Sequence, residues 1–131
     1  MKPELRQIFD EQLEVVLAEL PQQVKDFMDD VPLVVGDYPS REVMRRMRVR
    51  HPSHLCGLYT GIPLIKRSVE HWGVMSDVIH IYRLGIMSQS RKRDGGFDDA
   101  ELRNQIRRTI LHEYGHHVGL TEVDLRRLGY G

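Results

Sequence analysis

Apolar residues near the start of the chain recur at three- and four-residue intervals, which is the spacing of one face of an α-helix. Between residues 3 and 20 they are Leu5, Ile8, Phe9, Leu13, Val16, Leu17 and Leu20. Pro21 has no backbone N–H to donate, so it should interrupt this helix. The pattern therefore predicts helix over residues 3–29, divided at Pro21 into a long segment and a short one around Phe27.

Short runs rich in β-branched residues predict strands in the middle of the chain. The first, "VPLVV" at 31–35, is predicted to be a buried strand that Gly36 closes. A second strand is expected near 55–60, followed by a turn. The clearest strand is "DVIHIYR" at 77–83, whose alternation puts Ile79 and Ile81 on one face and Val78, His80 and Tyr82 on the other.

Two short helices and a loop are predicted around these strands. Residues 40–48 suit a helix with Ser40 as its N-cap, since a serine hydroxyl can accept a hydrogen bond from the first turn. Another helix is expected at 84–90, and the glycines of "SRKRDGG" at 90–96 favour a loop.

The last long helix is predicted over residues 98–118. Asp98 and Asp99 suit its N-terminus, where carboxylates interact favourably with the helix dipole. Gly119 suits the residue that ends it. A four-residue stripe is expected to face the core, namely Leu102, Ile106, Ile110, Tyr114 and Val118.

The composition is that of an ordinary soluble globular chain, with 40% hydrophobic and 29% charged residues among 131. This length suits one domain, residues 1–131, that can bury a core without disulfide or metal support. No apolar run is long enough to span a membrane, and the first residues lack the apolar segment of a signal peptide. Cys56 is the sole cysteine, so an internal disulfide is excluded and a cytoplasmic location is expected.

The net charge is zero, but basic residues concentrate in one short stretch, Arg41–Arg50. Five arginines occur there, at positions 41, 45, 46, 48 and 50, against Glu42 alone. The stretch could bind an acidic partner or RNA. No aromatic residue is interleaved among the arginines, so a solvated face is favoured and nucleic acid is not an expected partner.

His112, Glu113 and His116 form the sequence H-E-x-x-H inside the last helix. Residues four apart lie one above the other on a helix, so the two histidines can share one metal ion. Glu113 can then reach a water on that ion and act as its general base. A pair of packed or surface histidines is the alternative, because the bare motif arises by chance in roughly a few of every hundred such sequences.

Two residues beyond the motif strengthen the metal-site interpretation. Gly119 can take the left-handed conformation that ends a helix and turns the chain, which brings Glu122 back toward the histidines. Requiring both residues lowers the chance occurrence to about a few in ten thousand sequences. With Glu122 as third ligand the set suits a catalytic zinc. Asp124 is the competing third ligand, and iron or manganese is the competing metal.

The stretch "HEYGHHVGLTE" resembles the H-E-x-x-H-x-x-G-x-x-[H/D/E] pattern of the zincin metallopeptidases, and of metzincins in particular. Most of the chain resembles the small bacterial zincin-like metallopeptidases, or minimal metalloproteases. The segments that carry this likeness, in the family's order, are "LVVGDYPS", "LCGLYTGIPLIKRSV", "DVIHIYRLGI" and "ILHEYGHHVGLTEVDLRRLGYG".

The resemblance implies an α+β fold, a single compact zincin-like domain. In it a small mixed sheet packs against an N-terminal helix and a C-terminal active-site helix. It also implies zinc as the cofactor, His112 and His116 as metal ligands, Glu113 as the catalytic base and Glu122 as an acidic third ligand. In zincins an edge strand commonly lies beside the active-site helix and pairs with extended substrate, and the resemblance places "DVIHIYR" there.

The sequence departs from the larger metzincins in two respects. Their third ligand is commonly a histidine, whereas here it is a glutamate. Their motif is followed by a methionine turn, whereas only nine residues follow Glu122 and none is methionine. The likeness to these enzymes therefore supports the chemistry more than any particular substrate.

The expected function is hydrolysis of peptide bonds in a peptide or protein substrate. The oxyanion needs a hydrogen-bond donor besides zinc, and the candidates, each more readily explained as a packing residue, are Tyr114, His117, Tyr82 and His80. The rival interpretation is a non-catalytic metal-binding or regulatory module that uses the same site and contacts a partner through Arg41–Arg50. Structural zinc usually has four protein ligands, often cysteines. Cys56 is expected to be a small core residue, and His51 and His54 are not expected to bind metal.

Overall fold

The chain alternates short helices with three short strands. The computed structural model describes residues 1–61, 77–117 and 122–127, without the side chains at positions 116, 117, 122, 124 and 125. Its helices are α1 (Pro3–Glu19), α2 (Gln22–Asp30), α3 (Arg41–Met47), α4 (Arg83–Ser90), α5 (Asp99–His117) and α6 (Glu122–Arg127), and a 3₁₀ turn spans Pro52–His54. Its strands are β1 (Leu33–Gly36), β2 (Gly57–Thr60) and β3 (Val78–Tyr82). The helices and strands predicted within these residues are confirmed. The turn expected after β2, like Val118 and Gly119, lies outside them.

Two local predictions about helix ends are also confirmed. Leu20 is extended, and Pro21 separates α1 from α2. The Ser40 side chain accepts a hydrogen bond from the Val43 amide at 3.2 Å and caps α3. Both ends follow from the residue types, since proline lacks a backbone donor and serine supplies a short side-chain acceptor.

β3 lies at the centre of the described sheet, whose order is β1–β3–β2. β1 runs parallel to it, with Leu33 opposite Ile79 and Val35 opposite Ile81. β2 runs antiparallel to it, with Gly57 opposite Ile81. The expected mixed sheet is therefore confirmed. Because directly paired residues share a face of a sheet, Gly57 lies on the same face as the two isoleucines.

The two faces of the sheet have different surroundings. Ile79 and Ile81 are both fully buried in the core, as their alternation predicts, while His80 and Tyr82 lie on the opposite face. β1 is less buried than expected, since Val34 is 44% exposed. The reason is that β1 is an edge strand of the described sheet and covers the core with one face only.

The core lies between the inner face of the sheet and the helices α1 and α5, which pack side by side. Its most completely buried side chains are Phe9, Val16, Ile79, Ile81, Ile86, Leu102, Ile106, Ile110 and Tyr114. This is an α+β architecture in which a small mixed sheet packs against an N-terminal and a C-terminal helix. Among the described residues, no helix combines the length and apolar character needed to cross a membrane.

α5 begins and packs as its sequence predicts. The Asp98 carboxylate accepts a hydrogen bond from the Glu101 amide at 3.1 Å, which satisfies one of the free N–H groups of the first turn. Four stripe residues, from Leu102 to Tyr114, are at most 1% exposed. Arg103 and Arg107 on the neighbouring face of α5 bind Gln12 and Glu19 of α1. These contacts fix the rotation of α5 about its axis and thereby the direction of the residues between the stripe positions.

A charge network joins the ends of β1 and β3 to α1. Asp37, which follows β1, accepts hydrogen bonds from Arg6 on α1 at 2.7 Å and from Arg83, which follows β3, at 3.0 Å. Arg83 also binds Asp10 at 3.0 Å and lies over the Phe9 ring. The Arg6 hydrogen bond, with a smaller contribution from Arg83, lowers the pKa of Asp37. The parallel strands are thus tied together where both enter connecting segments.

Candidate active site

The H-E-x-x-H sequence lies near the C-terminal end of α5. His112 and Glu113 are partly buried and come directly after the buried residues Ile110 and Leu111, which anchor this turn in the core. α5 continues through His117, so the backbone positions of His112 and His116 are one helical turn apart. This confirms the helical spacing that two histidine ligands to one metal ion require.

Glu113 lies against β2 at a point where β2 has no side chain. A β-carbon built on Gly57 would lie 3.2 Å from Glu113 Cγ and 3.1 Å from Thr109 Cγ2. It would also lie 3.2 Å from the His80 carbonyl oxygen of β3. These distances are tighter than ordinary van der Waals contacts, so glycine is what lets strand and helix approach this closely. The backbone of β2 therefore forms one wall beside the Glu113 side chain.

The strand beside the motif is β2, and not "DVIHIYR". The expectation that residues 77–83 form the edge strand is wrong, since β3 is central and has a partner on each side. The physical reason is that alternation shows which side chains face the core, whereas strand order depends on which backbones hydrogen-bond to the two edges of the strand. β2, which begins with a glycine, lies at the edge of the described sheet instead.

Gly57 is a position of the candidate site that the sequence interpretation missed. The signal was present, because a glycine inside a strand-forming run often marks a close backbone approach. The "CGLYTG" run contains such a glycine, but nothing local identifies Glu113, far along the chain, as the group that approaches it.

Two of the candidate oxyanion donors lie on the wrong face of the sheet for Glu113. His80 and Tyr82 occupy the face opposite Ile79 and Ile81, whereas Gly57 and Glu113 meet on the isoleucine face. The two rings stack on each other, with centroids 6.3 Å apart and planes 11° apart. Burial raises the pKa of Tyr82. This pair is therefore part of the sheet's packing.

Tyr114 also has a structural role. Its ring is 1% exposed, and its hydroxyl donates a hydrogen bond of 2.6 Å to the Val31 carbonyl oxygen. Burial raises its pKa to about 12. The hydroxyl is therefore neutral, and its proton is donated to the segment between α2 and β1. It cannot also donate to a reacting carbonyl. The side chain of His117, the remaining candidate, lies outside the described residues.

Cys56 is a partly buried neighbour of the site. It packs against the hydrophobic core, and its pKa is raised first by burial and then by the negative charge of Glu113. A thiol held in its protonated form is a poor nucleophile, which agrees with the small core residue expected from the sequence.

His51 and His54 serve the 3₁₀ turn. His51 Nδ1 accepts a hydrogen bond from the Ser53 amide at 3.1 Å and lies 2.7 Å from the Ser53 hydroxyl. The two imidazole rings lie 5.6 Å apart. The lone pair that Nδ1 would offer a metal is therefore used within the turn.

The predicted third ligand belongs to α6. Glu122 is its first residue, Asp124 lies within it, and α6 contacts α5. The side chains of His116, Glu122 and Asp124 lie outside the described residues, so of the predicted ligands the structure describes His112 alone. Within the described side chains no group of three histidines, cysteines or acids is arranged to hold a metal ion. The ligand set accordingly stays a prediction.

Comparison with known proteins supplies the family. The structure has H-E-x-x-H on a helix that lies beside an antiparallel strand of a small α+β domain. The family model of zincin-like metallopeptidases matches residues 28–131. The chain belongs to the zincin-like metallopeptidase family. A search of curated proteins finds no match to it. The family match begins within α2, so α1 precedes the matched region.

Proposed function

We propose that this protein is a zinc-dependent metallopeptidase that hydrolyses peptide or protein substrates with Glu113 as general base. The observation that supports this most directly is the contact between Glu113 and the backbone of β2 at Gly57. It puts the acidic residue of the motif beside a strand, where an extended substrate backbone could lie. The family match points to the same reaction class.

The donor set fits zinc. His112, His116 and Glu122 would hold it, two imidazoles and one carboxylate being a common set for a catalytic zinc. Five residue steps separate His117, the end of α5, from Glu122, the start of α6. Such a link spans at most about 18 Å, so Glu122 stays near the end of α5 whatever path the link follows.

The chemistry divides between the metal and Glu113. When bound, zinc would act as a Lewis acid that polarises the substrate carbonyl and makes a water nucleophilic near neutral pH. The Glu113 carboxylate takes the proton from that water and afterwards delivers it to the leaving amine. Its position between α5 and β2 restricts its rotamers, so the proton acceptor is held in place before substrate arrives.

β2 would orient the substrate. One of its edges pairs with β3, and no described strand pairs with the other. An extended peptide that adds to this second edge would form main-chain hydrogen bonds irrespective of its side chains. The scissile bond of that peptide would then lie beside Gly57, the residue of β2 that contacts Glu113.

The test compares Glu113→Gln with the wild type. Glutamine keeps the size of the side chain and cannot accept the proton, so we expect one bound zinc per chain in both proteins. We expect kcat/KM on a peptide library to fall at least about a hundredfold in the variant. Glu101→Gln, an exposed position in the first turn of the same helix, is the matched control and should keep its activity.

Two results would contradict the proposal in different ways. Protein that takes up no zinc, either on purification without chelator or after addition of the metal, would contradict the metal site. If the wild type binds one zinc per chain but hydrolyses no library peptide, the protein is a non-catalytic metal-binding module. Metal analysis of protein purified without added zinc also distinguishes zinc from iron and manganese.

A further inference from the structure

Five arginines on and after α3 face solvent without a counter-ion among the described residues. Arg41, Arg45, Arg46, Arg48 and Arg50 are all exposed. Three arginines elsewhere in the described chain do have acidic partners: Arg6 and Arg83 bind Asp37, and Arg107 binds Glu19. We call the surface formed by these five side chains the arginine face. Because like charges held close together repel, such a face favours an anionic partner.

The arginine face includes a concave site. Arg41, Met44, Arg45 and Val49 line a shallow hollow of about 480 Å³. Arg41 and Arg45 are one helical turn apart on α3, and both line the hollow. Met44 and Val49 give the hollow apolar surface, and α3 has no fully buried residue. A ligand with both carboxylates and aliphatic carbon would match this lining.

One of these arginines occupies a backbone conformation that suits glycine. Arg48 ends α3 with φ of 57° and ψ of 37°, the left-handed region that an L-residue adopts at a cost of roughly 1 kcal/mol. Its amide donates to the Arg45 carbonyl oxygen, and the Val49 amide donates to the Met44 carbonyl oxygen at 3.0 Å. The chain therefore carries a charged side chain at a helix end where glycine would be more stable.

We propose that the arginine face binds acidic polypeptide segments, and that the peptidase acts on substrates that carry them. Guanidinium groups recognise carboxylates with paired hydrogen bonds, and the apolar side chains of Met44 and Val49 in the lining suit the methylene groups of glutamate. Single-stranded RNA is the less favoured ligand, because bases need aromatic side chains to stack on and residues 41–50 contain none.

The position of the arginine face relative to β2 links it to the substrate. Arg50 precedes Gly57 by seven residues, and a chain of that length spans at most about 25 Å. An extended peptide of roughly eight residues covers the same distance. One segment of that length can therefore lie along β2 and reach Arg50, the member of the arginine face nearest to β2 in the sequence. This substrate assignment depends on the proposed peptidase function, whereas binding of acidic peptides to the face does not.

The experiment measures binding of a fluorescein-labelled peptide with a run of glutamates by anisotropy. The Glu113→Gln protein is used so that the peptide stays intact. We expect binding that weakens as salt rises and that is lost when every glutamate of the peptide becomes glutamine. Arg41→Gln combined with Arg45→Gln should weaken binding at least about tenfold. Arg93→Gln combined with Arg108→Gln removes the same charge from other exposed positions and should change it less than about twofold.

Arg48→Gly gives a result that misfolding cannot imitate. Glycine relieves the left-handed backbone, so we expect the Tm to rise by about 2–5 °C while acidic-peptide binding weakens. A variant that is both more stable and a weaker binder identifies the side chain as part of the binding surface.

The outcomes separate this proposal from the peptidase proposal. Absence of acidic-peptide binding, equal loss in both double variants, or tighter binding of a single-stranded RNA than of the peptide would overturn the arginine face as a peptide site. If peptide binding depends on Arg41 and Arg45 but the wild type hydrolyses no peptide, the arginine face is a peptide site and the proposed peptidase function is wrong. If the wild type cuts acidic and glutamine peptides equally well and the Arg41/Arg45 variant does the same, the substrate assignment is wrong.

Discussion

Gly57 on β2 and Glu113 on α5 approach so closely that a β-carbon on Gly57 would lie 3.2 Å from Glu113 Cγ, which is tighter than an ordinary contact. Gly57→Ala should therefore displace Glu113 or separate β2 from α5. We expect kcat/KM to fall at least about tenfold, since small misplacements of a catalytic group are costly. The loss of stability should be about 1–3 kcal/mol. Peptide hydrolysis and urea unfolding measure the two effects.

Gly36→Ala is the control for that change. It adds the same methyl group to β1, where the nearest atom, Tyr82 Cδ1, would lie at an ordinary 3.7 Å. Its activity should match the wild type. Equal losses of activity in the two variants would show that the Gly57 effect comes from general disturbance of the sheet.

Tyr114→Phe tests the structural role of a residue that follows Glu113, the proposed catalytic base, in the sequence. The change leaves the buried Val31 carbonyl oxygen without its donor, which should cost about 1–3 kcal/mol of unfolding free energy. Hydrolytic activity and zinc content should stay within about twofold of the wild type. Loss of activity in a stably folded variant would instead assign the Tyr114 hydroxyl to the reaction.

Tyr114 also predicts behaviour at alkaline pH. Its pKa is about 12 in the folded protein and about 10 in an unfolded chain. The folded state therefore keeps the phenolic proton over an interval in which the unfolded state loses it. Stability from this group is fully present below about pH 10 and declines as pH rises toward 12. In urea titrations Tyr114→Phe should lose less stability than the wild type across that interval.

The charge network around Asp37 predicts a response to acid. Hydrogen bonds from Arg6 lower the pKa of Asp37 below its ordinary value. The unfolded state therefore binds the proton more readily, and stability from this group is present above about pH 4 and is lost as pH falls below it. Asp37→Asn should cost about 1–2 kcal/mol at pH 7 and reduce the dependence of stability on pH below 4. Asp29→Asn, an exposed acid at the end of α2, should leave both quantities unchanged.

The third metal ligand is decided by two substitutions on α6. Positions two apart on a helix point in directions roughly 200° apart, so we expect one of the two acids to serve. Glu122→Gln should weaken zinc binding by about ten- to a hundredfold or more, while Asp124→Asn should leave it close to wild type. Competition with a chromogenic chelator measures both affinities. The reverse result would make Asp124 the ligand.

Local patterns in the sequence predicted the features that are determined within a single helix or strand, namely helix ends and buried faces. The stripe from Leu102 to Tyr114 gave the buried face of α5, Pro21 gave the division of the first helices, and the alternation of residues 77–83 gave the two faces of β3. In each case the information lies within one helix or strand. The position of His112 and Glu113 next to that stripe follows from the same periodicity.

Relations between distant segments could not be obtained this way. Alternation in "DVIHIYR" shows which residues share a face but not which strands lie on either side. Its edge position was taken from the family resemblance, and that prediction is wrong. The pairing of Asp37 with Arg83 joins residues 46 positions apart, and no local pattern marks it. The approach of Gly57 to Glu113 likewise depends on how β2 and α5 pack.

Because α1 is packed into the core, the chain cannot be cut between α1 and α2 without exposing buried residues. The family match begins at residue 28, yet Phe9 and Val16, both before it, are fully buried against the rest of the core. Loss of α1 after cleavage between α1 and α2 would expose the apolar side of α5. It would also remove Asp10, Gln12 and Glu19, which bind Arg83, Arg103 and Arg107. A protease that cuts the chain there would therefore destabilise the domain without removing any residue of the family match.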